Sequence, residues 1–320
     1  MQNEHHILQE ILASYGLAEA QTHLLGSLWN RVYRVEVNNG TLYSLRLCPP
    51  EVQNSSNLAD ELAWLELVAR QQQVRVPSPV RNQQGDLITV ISTPDGQRLS
   101  CLFAWVEGEP AKQHLTAAVM RQIGRAVAKL HQLARAFGGP FQAQGFRAGY
   151  RYNSQLAASH RDWIAAHQTE IGIAQVRLLE AAVTWLIAEL AEIGETRDNF
   201  GIIHADLHFG NFLVQADQVS VIDFDQVGCG HYLYDLAVLL VELFAEGADW
   251  AARWANFKAG YQQVAPLPFD DEKALNPFIV GVNLAFLDWV YNSPNPAVRE
   301  QMGPRLPATF ESIRTRMGGE

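Results

Sequence analysis

Asp206, Asn211 and Asp223 are the residues of this chain best suited to chemistry. The first two stand five positions apart in His204-Ala205-Asp206-Leu207-His208-Phe209-Gly210-Asn211, and the third follows twelve positions later in Val221-Ile222-Asp223-Phe224-Asp225. Apolar runs flank them, Ile202-Ile203 before and Phe212-Leu213-Val214 between. The polar groups therefore sit at the ends of segments that read as buried strands, where an idle polar group is expensive to keep. A carboxylate can orient a hydroxyl and accept its proton. An amide oxygen with a second carboxylate suits magnesium, a hard cation that takes oxygen ligands and rides on the phosphates of a nucleoside triphosphate. Asp or Asn alone is a common turn former; the combined spacing between two strands argues for chemistry.

His204 and His208 flank Asp206, so His-x-Asp-x-His also resembles a transition-metal ligand cluster. No further His or Cys cluster with ligand spacing supports that reading. His204 is expected instead to be packed and to hold the loop through a backbone hydrogen bond. Asp235, in Tyr234-Asp235-Leu236-Ala237, begins an apolar helix and reads as a helix cap.

The elements that must position these groups fall into two patterns. The first third is strand-rich. After a short helix near Ile7–Ser14, Arg31–Val37 and Thr41–Leu47 flank Asn38-Asn39-Gly40, a hairpin signal. Period two puts Tyr43, Leu45 and Leu47 on one face and Arg46 on the other. A helix capped by Ser55 or Ser56 carries Leu58, Leu62, Leu65 and Ala69 as its apolar stripe, with Glu61 on or beside it. An Arg46–Glu61 pair would fix a cation where a triphosphate is gripped. Gly26-Ser27-Leu28-Trp29-Asn30 joins two segments and is poor in glycine for a phosphate loop; Ser27 and Asn30 are its candidate polar contacts. Gln83-Gln84-Gly85-Asp86 and Thr93-Pro94-Asp95-Gly96 mark turns, and Leu99–Val106 is a mostly apolar strand closed by Glu107-Gly108-Glu109-Pro110. Helices then dominate: Thr116–Phe137, Gln155–Gln168, Gln175–Ile193, Tyr234–Glu246, Ala251–Val264 and more toward the C-terminus. The segment around Asp206 and Asp223 is the one strand-rich island among them, with a turn near Ala216-Asp217. The expected class is α+β, with a small sheet-plus-helix lobe over 1–104, a larger helical lobe over 105–320, and a ligand cleft where the two meet.

Composition narrows the functions. The 320 residues are 48% hydrophobic and 18% charged, with net charge -10, which disfavours duplex nucleic acid as a partner. No unbroken apolar run reaches the roughly 20 residues of a membrane span, and the first residues lack a signal-peptide pattern. Three widely spaced cysteines, Cys48, Cys101 and Cys229, read as reduced and packed, so a cytoplasmic protein is expected. Oligomeric state is left open, as monomer or homodimer.

The order Arg46, Glu61, Phe103–Gly108, His204 to Asn211, Asp223-Phe224-Asp225 and Leu233 to Ala237 resembles the aminoglycoside phosphotransferase and choline kinase group, over nearly the whole chain. It is most similar to bacterial homoserine-kinase-like phosphotransferases. The resemblance implies a bilobal protein-kinase-like fold, ATP and Mg²⁺ as cofactors, and transfer of the γ-phosphoryl group to a small-molecule hydroxyl. Asp206 would be the catalytic aspartate, and Asn211 and Asp223 the magnesium ligands. Glu61 would orient Arg46, which stands where the group usually has lysine; arginine binds phosphate bidentately and is not equivalent to lysine. Backbone groups of Ala104 and Val106 would bond adenine, with Phe103 behind it. Asp225, where protein kinases have glycine, favours the small-molecule branch. With the acidic chain it suits an amino- or cation-bearing alcohol, such as homoserine, choline-like alcohols or aminosugars. The acceptor wall is expected from helices after Phe137 and near Asp288, Trp289 and Tyr291. The alternatives are a stress-response type protein serine/threonine kinase and a silent nucleotide-binding module.

Overall fold

The computed structural model describes residues 2–27, 30–49, 55–93, 96–141, 151–216, 218–247, 249–293 and 295–318. The chain divides into two compact units, Met1–Glu109 with Leu213–Ile222, and Pro110–Phe212 with Asp223–Glu320.

The first unit starts with α1 (Gln2–Ser14), which begins a turn and a half before the apolar residues that signal it. Three antiparallel strands follow, β1 (Gln21–Gly26), β2 (Arg31–Glu36) and β3 (Leu42–Leu47). Then come α2 (Ser55–Gln71), β4 (Pro79–Val80), β5 (Thr89–Thr93) and β6 (Gly96–Ala104). Sheet order is β1-β2-β3-β6-β4, with β5 also on β6. The β2–β3 hairpin is the expected one. β1 has no counterpart in the sequence reading, because nearly all of it is exposed, including the adjacent Leu24 and Leu25, and no alternation marks it. One sheet face packs Tyr33, Val35, Leu45, Leu47, Ile91 and Leu102 against Leu8, Ile11 and Leu12 of α1. Arg46 is buried on the opposite face, beside α2, as its parity requires. On α2, Leu58, Leu62 and Leu65 are buried, joined by Trp64 and Val68.

Beyond β7 (Glu109–Pro110) the second unit opens with α3 (Ala117–Phe141). It continues with β8 (Arg151–Tyr152), α4 (Ser154–Ala166), α5 (Gln168–Ile171) and α6 (Ile173–Ile193). β9 (Phe200–Ile203) runs into the Asp206 loop. The chain then forms β10 (Phe212–Gln215) and β11 (Gln218–Val221). Most of this hairpin belongs to the first unit, where Val221 donates its N–H to the Arg75 carbonyl at 2.8 Å. The tip residue Asp217 lies outside the described residues, as do Leu28, Trp29, Pro94 and Asp95 of the other expected loops.

The chain re-enters the second unit at Asp223 and adds β12 (Gly228–His231), paired parallel to β8 and antiparallel to β9. Then come α7 (Tyr232–Ala245), α8 (Trp250–Gln262), α9 (Asn276–Asn292), α10 (Pro296–Met302) and α11 (Leu306–Arg316). α3 and α8 touch backbone to backbone: a Cβ on Gly124 would fall 2.1 Å from the Phe257 carbonyl oxygen, and one on Gly260 2.0 Å from that of Arg121. α9 is a core helix, packed on α4, α6, α7 and α11. Glu272–Asn292 is long and apolar enough by composition to cross a bilayer, with half of that window buried in the unit.

Candidate active site

β9 ends at Ile203 and delivers a loop whose backbone is held from behind. Asp235 accepts hydrogen bonds from the Ala205 N–H (2.7 Å, Oδ1) and the His204 N–H (3.1 Å, Oδ2). Its Oδ2 also lies 3.1 Å from His131 Nε2, and His131 Nδ1 lies 3.0 Å from the Tyr261 hydroxyl. A carboxylate can only accept here, so His131 carries a proton on Nε2. Asp235 was expected to cap its helix. α7 instead begins at Tyr232 with His231 before it, and the Asp235 side chain serves a loop thirty residues upstream. This anchor lets Ala205 hold φ 67°, a left-handed conformation that costs free energy in a non-glycine residue.

His204 fulfils its expected role: it is buried against Phe224 at 4.4 Å, and its Nδ1 faces the Asp206 N–H at 3.4 Å. A ring placed this way is poorly available as a zinc ligand. Among the described residues, no group of three or more His, Cys, Asp or Glu side chains is arranged to hold a metal ion.

The loop presents Asp206 beside Asn211. The Asn211 amide nitrogen donates to the Asp206 backbone carbonyl at 2.8 Å and to Asp206 Oδ2 at 3.0 Å. A backbone carbonyl only accepts, so this bond fixes the amide orientation and turns Oδ1 away from Asp206. That oxygen is the kind of donor a hard cation takes. His208 stands on the other side, with Nε2 3.7 Å from Asp206 Oδ2 and Nδ1 accepting the Gly210 N–H at 3.0 Å. Burial holds its imidazole below the ordinary value. Burial first, and the Asp225 charge second, push the Asp206 carboxyl up to about 7 against the Asn211 hydrogen bond, which lowers it. The Asp206 side chain is still 38% exposed, so solvent screens part of this shift. Asp223 adopts φ 62°, ψ 68°, a second left-handed non-glycine residue, at the start of the turn Phe224–Gln226. Its charge reaches His208.

The first unit holds the other candidate groups. Arg46 and Glu61 form an ion pair at 2.8 Å, with side-chain exposures of 7% and 2%. The guanidinium lies 5.5 Å from the Phe103 ring centre, and its Nε and Nη2 find no hydrogen-bond partner among the described residues. A buried guanidinium with two such donors matches an anion such as phosphate. Burial works against its charge, but the Glu61 carboxylate beside it helps to hold the Arg46 guanidinium well above its ordinary value. At Ala104 the N–H is already committed to the Ser78 carbonyl (2.9 Å). Val106 follows in the loop after β6 and is half-buried. Ser27 and Asn30 lie in the β1–β2 connection, Ser27 exposed and Asn30 half-buried. Trp289, Tyr291 and Asp288 lie on α9, where Tyr291 stacks on Trp163 at 5.9 Å under Arg299.

A sequence profile of the phosphotransferase enzyme family matches residues 22–267. The chain belongs to that family. It is 24% identical over 246 residues to the amicoumacin kinase of Bacillus subtilis (strain 168), covering 74% of this chain and 68% of that protein. It is 28% identical over 272 residues to a homoserine kinase of Azorhizobium caulinodans, covering 82% and 77%. Among solved structures it resembles a microcompartment-associated aminopropanol kinase (TM-score 0.76, 24% identity, 98% and 95% covered). It also resembles an amicoumacin kinase in complex with AMP-PNP, Ca²⁺ and Ami (TM-score 0.78, 19% identity, 98% and 94% covered). The protein is a phosphotransferase enzyme with the protein-kinase-like fold, as its motifs implied.

Proposed function

We propose that the protein transfers the γ-phosphoryl group of ATP to the hydroxyl of a small molecule, an amino- or cation-bearing alcohol. The observation that carries this reading is the fixed Asp206–Asn211 pair: a partly exposed carboxylate is held beside an amide whose oxygen is turned away from it. Asp206 accepts the hydrogen bond of the acceptor hydroxyl, orients its lone pair along the line of attack, and takes the proton late, since phosphoryl transfer is loose and depends mostly on positioning. Asn211 Oδ1 and the Asp223 carboxylate would hold magnesium, which neutralises charge on the β and γ oxygens when bound. Arg46, fixed by Glu61, grips phosphate through its two unmatched donors. Phe103, Ala104, Val106, Ser27 and Asn30 bind the rest of the nucleotide. Asp225 adds the negative charge that favours a cationic acceptor. The names of the relatives, an amicoumacin kinase and a homoserine kinase, and a neighbour with bound AMP-PNP and Ca²⁺ support this class. The cytoplasm, where ATP is available, is the compartment the reading implies.

The test is ADP release with Mg-ATP across a panel of ethanolamine, 1-amino-2-propanol, homoserine, choline, an aminosugar and a neutral sugar, with a basic protein as a further acceptor. Turnover confined to amino or cationic alcohols, lowered about 10²–10⁴-fold in kcat by Asp206→Asn, is expected. Turnover of the neutral sugar or the protein alone rejects the acceptor class.

A further inference from the structure

Glu242 stands on α7, and its charge is among those that raise the Asp206 carboxyl and reach the His208 ring. Each of its oxygens faces a cation of the same unit. Oε1 lies 3.6 Å from Lys112 Nζ, and Oε2 lies 3.4 Å from Arg305 Nη2. Lys112 also reaches Glu246 Oε1 at 3.1 Å. Its turn, Ala111–Gln113, packs on the turn Phe209–Asn211 of the Asp206 loop, and its charge is felt at His208. Glu242 thus ties two cations to the loop that carries the reacting carboxylate.

The two cations differ in how they are held. Lys112 is a mobile point charge, more than half exposed. Arg305 is fixed on two sides: its guanidinium carbon lies 5.1 Å from the Phe286 ring centre, and its Nη2 faces Glu242. Its Nη1 and Nε donors find no hydrogen-bond partner among the described residues, and its side chain is 37% exposed. Trp289 extends the aromatic surface beyond Phe286, with ring centres 6.2 Å apart, and is itself exposed. Aromatic residues near Trp289 were the expected acceptor wall; the cation over them is the protein's own Arg305.

A partly exposed ion pair at 3.4 Å adds little to stability. A guanidinium held over a ring and oriented by one carboxylate, with N–H groups to spare, is instead a fork for a second carboxylate.

We infer that Arg305 reads a carboxylate on the phosphoryl acceptor, so that the acceptor is a hydroxyl-bearing amino acid rather than a plain amino alcohol. The inference rests on the small-molecule acceptor proposed above and adds an anionic group to its cationic one. Glu242, with a cation at each oxygen, orients the fork, and Asp225 remains the charge that favours the ammonium.

Three matched pairs test this: L-homoserine with 3-amino-1-propanol, L-threonine with (R)-1-amino-2-propanol, and L-serine with ethanolamine. The members of each pair differ only in the carboxylate. In ADP release the wild type is expected to favour the amino acid in kcat/KM by roughly 10–100-fold in at least one pair, the worth of a charge-assisted hydrogen bond. Arg305→Met should remove that preference by raising KM for the amino acid, with KM for ATP and the kinetics of the amine unchanged. Arg305→Lys keeps the charge without the fork and should fall between. A readout independent of turnover is phenylglyoxal labelling of Arg305, followed by peptide mass mapping: the amino acids should protect it and the amines should not. Equal use of both members, turnover confined to the amines, or an Arg305→Met loss shared equally by both members overturns the inference. If none of the six compounds is turned over, the acceptor class proposed above is wrong and the labelling decides Arg305 alone. Protection by the amino acids then upholds the carboxylate fork, and its absence rejects it.

Discussion

Replacing Asp235 separates a helix cap from a loop anchor. The carboxylate receives three donors, the N–H groups of Ala205 and His204 and the His131 Nε2–H. In Asp235→Asn the amide oxygen can keep Ala205. The amide nitrogen then faces His131, which can shift its proton to Nδ1, accept at Nε2 and donate to the Tyr261 hydroxyl. One donor, the His204 N–H, is left unmatched, and a buried unmatched donor costs about 1–3 kcal/mol. In Asp235→Ala all three donors lose their acceptor, so the loss is roughly 3–9 kcal/mol before any cavity is counted. A cap lost to alanine would cost about 0.5–2 kcal/mol and would not move the distant loop. Urea unfolding followed by tryptophan fluorescence measures the stability difference, and ADP release measures kcat. Both variants should also lower kcat, by around 10²-fold for a displacement near 1 Å of the Asp206 carboxylate. Equal, small stability losses in the two variants with kcat intact would refute the anchoring role.

Other perturbations address the remaining groups. Arg46→Met leaves Glu61 buried without its cation and should cost about 3–5 kcal/mol; Arg46→Met with Glu61→Leu should recover most of this in chemical denaturation while abolishing the thermal shift produced by ATP. Asp223→Ala should remove the magnesium-dependent part of the ATP thermal shift, and an equal shift with and without Mg²⁺ in the wild type would argue against that ligand. Burial raises the Asp206 carboxyl from 3.8 to about 7 in the folded protein, so its contribution to stability is complete below about pH 4 and lost as pH rises through 7. Asp206→Asn, which mimics the protonated group, should therefore melt higher than the wild type at pH 8 and level with it near pH 4. A gap of the opposite sign would refute the raised titration.

The groups legible in the sequence share one property: their partners are local or lie at a fixed parity. Asp206 and Asn211 sit in one loop, so their spacing already forces the contact made at 3.0 Å. Arg46 is opposite Tyr43, Leu45 and Leu47 by alternation alone, and an amphipathic helix carrying Glu61 was the natural cover for that face. The groups that were not legible depend on chain segments far apart. Asp235 begins an apolar run in the manner of a cap, and nothing near it points to residues 204, 205 and 131. β1 escapes notice because it is an exposed edge strand whose order comes from its ladder to β2 rather than from burial. The turn expected near Ala216-Asp217 does not tell where the β10–β11 hairpin packs. The structure gives it a further purpose, since it pairs with the Arg75 segment of the first unit while the residues on either side of it, Asn211 and Asp223, belong to the second. Spacing in sequence thus points to the candidate reacting groups, whereas the left-handed conformation of Ala205 marks where the fold, through Asp235 and His131, supplies the restraint. The strained backbone is a better guide to supporting residues than any local motif, because a conformation that costs free energy persists only where distant contacts hold it.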